Sequence, residues 1–201
     1  MAKIGFEYIV AAKLDTEVSV SKATAKYTEA RVIGPAANAN FTINTSDVKD
    51  YGDDNVVETD VSPTGGTASL ELNEPTMKNE GWLLGHTVTE DDGMVRNAND
   101  IPPYVGIGFV GKSVRAHETV FKAKVYLKAQ FKEPNDENAT KQDTVTFTHT
   151  TMEGNLYTLQ NGDMKAENEF NTLAEAKAYV NKILGVTDSS TGKSGVKHGH
   201  I

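Results

Sequence analysis

The stretch Thr119-Val-Phe-Lys-Ala-Lys-Val-Tyr-Leu-Lys-Ala-Gln-Phe131 decides the fold class, because it is the longest run in the chain that obeys a single rule. Alternation puts Phe121, Ala123, Val125, Leu127, Ala129 and Phe131 on one side of an extended backbone, and Lys122, Lys124, Tyr126, Lys128 and Gln130 on the other. A helix would spread both sets around its circumference. At ~3.3 Å per residue such a strand reaches about 40 Å, and it needs partners along its whole length. The expected fold is mainly β: an antiparallel sandwich or barrel-like domain around one long, two-faced central strand.

The flanking sequence extends this reading. Residues 104–112 are apolar and are joined to the long strand by Ser113-Val-Arg-Ala-His117, which predicts a hairpin. Residues 4–14 alternate as well, with Ile4, Phe6, Tyr8, Val10, Ala12 and Leu14 expected on one face. Short strands are expected at 30–33, 40–44, 56–61, 67–73 and 144–150, with an edge strand at 155–159 and turns at 62–66 and Asn161-Gly162. A brief strand is expected at 94–96 inside an otherwise loop-like 87–103. Two helices stand out. One lies near 75–84, opened by Pro75 and stopped by Gly85; the other lies near 172–184, where Thr172-Leu-Ala-Glu175 makes a capping box and Leu173, Ala176, Val180 and Ile183 an apolar stripe ended by Gly185. The expected organisation is one domain over residues 1–185 and a flexible Ser-, Gly- and His-bearing tail over 186–201.

Charge and composition exclude several functions. A formal net charge of −8, from 28 acids and 20 bases, is the wrong sign for adhesion to nucleic acid, which needs concentrated Lys and Arg. There is no cysteine, hence no disulfide and no thiolate metal site. The first residues lack the layout of a signal peptide, and no apolar run reaches the ~18 residues of a membrane span, so synthesis in a cytoplasm is expected.

Three motifs invite chemistry. Gly106-Ile-Gly-Phe-Val-Gly-Lys-Ser113 fits the phosphate-loop pattern, in which backbone N–H groups at a helix N-terminus hold phosphate. The residues after Ser113 carry a strand pattern, so a glycine-softened strand and hairpin is the better reading. Tyr51-Gly-Asp-Asp54 has the adjacent carboxylates that hard cations favour. It sits in an acidic interlude, 45–59, with Asp47, Asp50 and Glu58, which reads as a solvated extended loop. His86, His117 and His149 have no companion at metal-ligand spacing, and His198 and His200 belong to the tail. No nucleophile, base and orienting acid can be assembled, and no enzyme activity is expected. Trp82 beside Leu83 and Leu84 reads as core, and the Lys122, Lys124 and Lys128 row as a solvated face or one that meets an acidic neighbour.

On these residues the chain resembles the major tail proteins, or tail tube proteins, of long, non-contractile-tailed bacteriophages. The resemblance lies in Met1-Ala-Lys-Ile-Gly-Phe-Glu-Tyr8, residues 51–60, Leu70-Glu-Leu-Asn-Glu-Pro-Thr76, residues 105–113 and 130–147, and Thr172-Leu-Ala-Glu-Ala-Lys-Ala-Tyr179, and covers about residues 1–185. It implies a sandwich with a flanking helix, six copies per ring, and rings stacked around a tape-measure protein to leave a lumen for genome ejection. It further implies a place in the virion, contacts with tail terminator and distal tail proteins, passage of DNA without specific binding, no membrane partner and no cofactor. Asp47, Asp50, Tyr51, Asp53, Asp54 and Glu58 are then expected to cross to the adjacent ring, with Lys122, Lys124 and Lys128 as further subunit-interface residues. Two other classes compete: a carbohydrate-binding or adhesion sandwich, disfavoured by 7% aromatic content, and a nucleotide-binding enzyme resting on residues 106–113 alone.

Overall fold

The longest alternating stretch forms strand β8 (Glu118–Phe131), and its two borders organise the molecule. The computed structural model describes residues 2–17, 25–52, 55–73, 76–89, 91, 93–115, 117–135 and 149–186, and for 2–4 and 47–60 the backbone alone. One border of β8 pairs with β7 (Val105–Arg115), its hairpin partner. The other border is shared: β10 (Lys165–Phe170) takes residues 121–126, and β9 (Thr150–Leu156) takes residues 129–131. From that fork the sheet runs one way through β7, β1 (Ala2–Thr16) and β2 (Lys26–Val32), and the other way through β9, β4 (Asn55–Leu72) and β3 (Ala36–Gly52). All these pairings are antiparallel, and the fold is mainly β.

The fork coincides with a break in alternation. Between the pairs Ile107↔Tyr126 and Val105↔Ala129, β8 carries one residue more than β7. A strand that gains a residue reverses the facing of everything beyond it. Phe121, Ala123, Val125 and Leu127 pack under helix α2 (Leu173–Leu184), while Ala129 and Phe131 join Tyr126 in the core on the opposite side. Strict alternation had placed all six apolar residues together, and the bulge corrects that. β1 behaves the same way. Its register shifts between Glu7 and Val10, with Tyr8 at φ 61°, so Phe6, Ile9 and Ala11 face one core while Tyr8, Val10 and Ala12 face α2.

The larger core forms where β3, β4 and β9 fold back over β1, β7 and β8. Phe41 of β3 stacks on Tyr126 at 4.3 Å and on Phe109 at 5.3 Å, and Phe6 meets Phe109 edge-on at 6.1 Å. Leu70, Leu72, Met152, Leu156 and Phe131 fill the space between, and Trp82, Leu83 and Leu84 of α1 (Met77–Leu84) close one end. The second core is the interface of α2 with the other face of β1, β7 and β8. Gly106 and Gly108 make it possible. A Cβ on Gly108 would stand 2.6 Å from Val180 Cγ1, and one on Gly106 would stand 2.5 Å from Tyr27 Cε1 and 2.8 Å from Leu184 Cδ2.

Both helices end at the predicted glycines and α2 opens at its predicted cap, but α1 opens at Thr76, not at Pro75, which lies outside the described residues. Thr172 caps α2, its hydroxyl oxygen accepting from Glu175 N at 3.3 Å and donating to the Glu175 carboxylate at 2.7 Å, and Gly185 closes it at φ 65°. Thr76 caps α1, and Gly85 closes it at φ 75°. The substitution Thr172→Ala is expected to cost about 1 kcal/mol in urea unfolding, the usual worth of an N-cap. No measurable shift of the midpoint would show that α2 is held by packing alone.

Four readings need correction. Residues 45–59 are not a loop: β3 and β4 pair through Gly52↔Asn55, as one hairpin of 17 and 18 residues. Residues 62–66 are not a turn but a bulge within β4, where the partners step from Asn44↔Gly65 to Thr45↔Pro63. Pro63 is tolerated because β9 pairs β4 only over residues 66–72, leaving the border at Pro63 without a ladder to satisfy. The edge strand expected at 155–159 overlaps β9 only at residues 155 and 156, and β9 lies between β8 and β4, not at an edge. β10, whose Lys165-Ala-Glu-Asn-Glu-Phe170 shows little alternation, escaped the sequence reading because its one apolar side is supplied by Ala166 and Phe170. The strand expected at 144–150 lies outside the described residues but for its end, and the tail lies outside them from residue 187.

Candidate functional site

Two surface features are built rather than incidental. The first is the far half of the β3–β4 hairpin. From Gly66 to Leu72 the hairpin is stitched into the sheet by β9; among the described residues, 45–52 and 55–63 pair only with each other. At ~3.3 Å per residue this two-stranded ribbon extends about 25 Å. Neither of its outer borders has a partner among the described residues, and an isolated two-stranded ribbon is marginal in water. At its root Val61 is 60% exposed and Ile43 38%. The ribbon is also the most acidic part of the chain: residues 45–60 hold Asp47, Asp50, Asp53, Asp54, Glu58 and Asp60 against Lys49. Register sets Asp50 opposite Glu58, with Val48 opposite Asp60 on the same face. Like charges directly opposed across a ladder destabilise it. Of the interface residues expected from sequence, Asp47, Asp50, Tyr51 and Glu58 thus lie on the ribbon backbone, and Asp53 and Asp54 lie outside the described residues.

The second feature is a cleft at the opposite border of the sheet, between β1, β2 and α1. A cavity of about 550 Å³ is lined by Lys13, Glu29, Arg31, Lys78, Trp82 and His86, among others. The Trp82 indole is buried, but two cations lie over it, Lys13 Nζ at 5.5 Å and Arg31 Cζ at 5.2 Å from the ring centre. Its Nε1–H donates to Glu29 at 2.8 Å, and Lys13 pairs with the same carboxylate at 2.8 Å. These two hydrogen bonds hold the Glu29 carboxyl below the usual range. Glu29 sits at φ 50°, in a register shift of β2 against β1, so the backbone bears strain to bring this carboxylate to the indole. β2 pairs only with β1 among the described strands, so the cleft opens on the sheet's second free border.

Behind the cleft lies a charged cluster that the sequence did not disclose. The His86 side chain is 6% exposed and holds two carboxylates, Asp100 by Nδ1 at 2.7 Å and Glu133 by Nε2 at 2.5 Å. Arg96 adds a bond to Glu80 at 2.8 Å and stands 3.7 Å from Glu133. Burial pushes the imidazole toward neutrality, but the two hydrogen-bonded carboxylates outweigh it and raise its pKa above the usual 6.5. A raised folded pKa stabilises the fold fully below the unfolded value and loses that contribution as pH rises through the folded value. The protein should therefore lose stability as pH climbs above about 6.5, and His86→Gln should flatten that decline in urea melts. Parallel curves for the two proteins would show the His86 bridge to be idle. Spacing along the chain carries no signal of this cluster, because Glu133 is 47 residues from His86 and reaches it only through the fold.

The remaining motifs resolve plainly. Residues 106–113 lie in β7, with no helix opening at Lys112, and their glycines serve the approach of α2. His117 occupies the β7–β8 hairpin turn at φ 69°; His198 and His200 lie outside the described residues. Among the described residues no three His, Asp or Glu side chains are grouped to hold a metal, and no helix is long and apolar enough to cross a membrane. The lysine row finds partners within the chain. Lys122 pairs with Glu169 at 2.6 Å, Lys124 stands opposite Glu167 in the β8–β10 ladder, and Lys128 pairs with Glu17 while lying 4.5 Å over the Tyr104 ring. Glu169 is held below the usual carboxylate range by its bond to Lys122, and Glu167 by its bond to Lys165. No protein-family model matches the sequence, and no curated protein matches it.

Proposed function

We propose that this chain is a structural subunit that assembles with copies of itself into stacked rings forming a tube, in the manner of the major tail proteins its sequence resembles. The ribbon of residues 45–63 carries the reading: it is an extended hairpin, anchored at one end and open along both borders among the described residues. Unpaired borders of this length are normally covered, and a second copy of the same chain presents matching ones. The sheet has two such borders, β3 at one end and β2 at the other, which suits head-to-tail closure into a ring. On this proposal the ring has six members, encloses a tape-measure protein before ejection, and meets terminator and distal tail proteins at its ends. The net charge of −8 suits a lumen through which DNA slides without adhering.

Negative-stain electron microscopy of the purified protein at rising concentration tests this. Rings or tubes about 100 Å wide are expected, the width of six such domains around a pore. A particle that stays monomeric at every concentration, with or without added tape-measure protein, overturns the reading.

A further inference from the structure

We propose that the acidic face of the ribbon docks into the Trp82 cleft of a neighbouring copy, with the carboxylates of Asp50, Glu58 and Asp60 received by Arg31 and Lys13. The inference rests on the self-assembly reading and adds to it the receiving site and the chemistry of the contact.

Three observations carry it. The register sets Asp50 opposite Glu58, with Asp60 at a position on the same face, and like charges opposed across a ladder are destabilising. The cleft supplies cations in a form prepared for this. The Arg31 guanidinium lies 5.2 Å from the centre of the buried Trp82 ring, and a planar guanidinium can grip a carboxylate in two places. Lys13 lines the same cleft, paired at 2.8 Å with Glu29, whose carboxylate also accepts from Trp82 Nε1. Position agrees with charge. The ribbon prolongs the sheet's β3–β4 end and the cleft opens on β2 at its other end, so one copy's ribbon meets the next copy's cleft in a head-to-tail ring. Each subunit then gives one contact and receives one, and closure leaves neither unmatched.

Charge reversal tests the pairing. The cleft variant Lys13→Glu/Arg31→Glu and the ribbon variant Asp50→Lys/Glu58→Lys are each expected to raise the concentration needed for assembly at least tenfold. Their 1:1 mixture is expected to recover assembly, because in an alternating head-to-tail ring each wild-type ribbon meets a wild-type cleft and each reversed ribbon meets a reversed cleft. A single chain carrying all four changes is expected to recover assembly to within about threefold of wild type, because its reversed ribbon again meets a complementary cleft. Circular dichroism melts of each variant guard against misfolding, and the milder Arg31→Gln keeps the test open if Arg31→Glu fails to fold; it should weaken assembly and make what remains less sensitive to salt. Normal assembly by the cleft variant overturns the proposal while leaving self-assembly standing. So does a cleft defect that the four-change chain does not relieve, which would assign the cleft to a different acidic occupant. Failure of the wild-type protein to assemble at all strikes the underlying reading instead, and is seen before any variant is made.

Discussion

Replacing residues 45–64 with a two-residue Asn-Gly turn between Asn44 and Gly65 is expected to give a folded monomer that forms no rings or tubes. The two ends are register partners, so a short turn closes them without moving the sheet. The described side chains of the removed segment, at 45, 46 and 61–64, belong to neither core, and the Phe41 stack that folds β3 over β7 and β8 lies on the retained side. Thermal stability should therefore stay within a few degrees, or rise once the opposed Asp50 and Glu58 are gone. Assembly is another matter, because a ring loses one strand-border contact at every interface. A rise of at least about 100-fold in the assembling concentration, ~2.7 kcal/mol per contact, is expected by light scattering. Tubes of normal width from the shortened chain would remove the ribbon from the assembly path.

The second large effect concerns the glycines that imitate a phosphate loop. In Gly108→Val the new Cβ starts 2.6 Å from Val180 Cγ1 and 3.2 Å from Val125 Cγ2, with two further methyl groups to place. Neither neighbour can withdraw, since Val125 is fixed by the β7–β8 ladder and Val180 by the middle of α2. Overpacking of this kind costs about 1–3 kcal/mol when the surroundings give way, and here the helix must lift from the sheet, exposing Val180 and Leu184. A loss of about 3 kcal/mol or more is expected in urea unfolding, with Gly108→Ala intermediate. Lys112→Ala should change stability by no more than about 0.5 kcal/mol, and neither wild type nor variant should bind ATP in calorimetry. ATP binding abolished by Lys112→Ala would reinstate the nucleotide reading.

These two experiments touch the places where sequence and structure diverge most. Glycines spaced as in residues 106–113 satisfy a written pattern, yet the pattern's chemistry lives in a helix opening at its end, and here the strand simply continues. Residues 45–59 diverge for a different reason. Asp, Asn, Gly and Ser favour turns when read alone, but the ladder that runs from Ala36↔Leu72 through Ile43↔Gly66 continues to Gly52↔Asn55 and holds polar residues extended. The Lys122 to Lys128 row was legible as a charged face, but its partners on β10 and at Glu17 come from segments far along the chain.

The sequence by itself determined whatever depends on neighbours within a few residues. Alternation in 119–131 declared a strand, Thr172 with Glu175 declared the start of α2, and Gly85 and Gly185 declared the helix ends, because extended pleats, caps and left-handed stops are local geometry. Tertiary structure alone decided which face each side chain serves past Tyr8 and Leu127, since one extra residue against a partner strand inverts the pleat and only the partner reveals it. It alone gathered His86, Asp100 and Glu133, and stacked Arg31 and Lys13 on Trp82, because those contacts join residues that the chain keeps apart until the sheet closes.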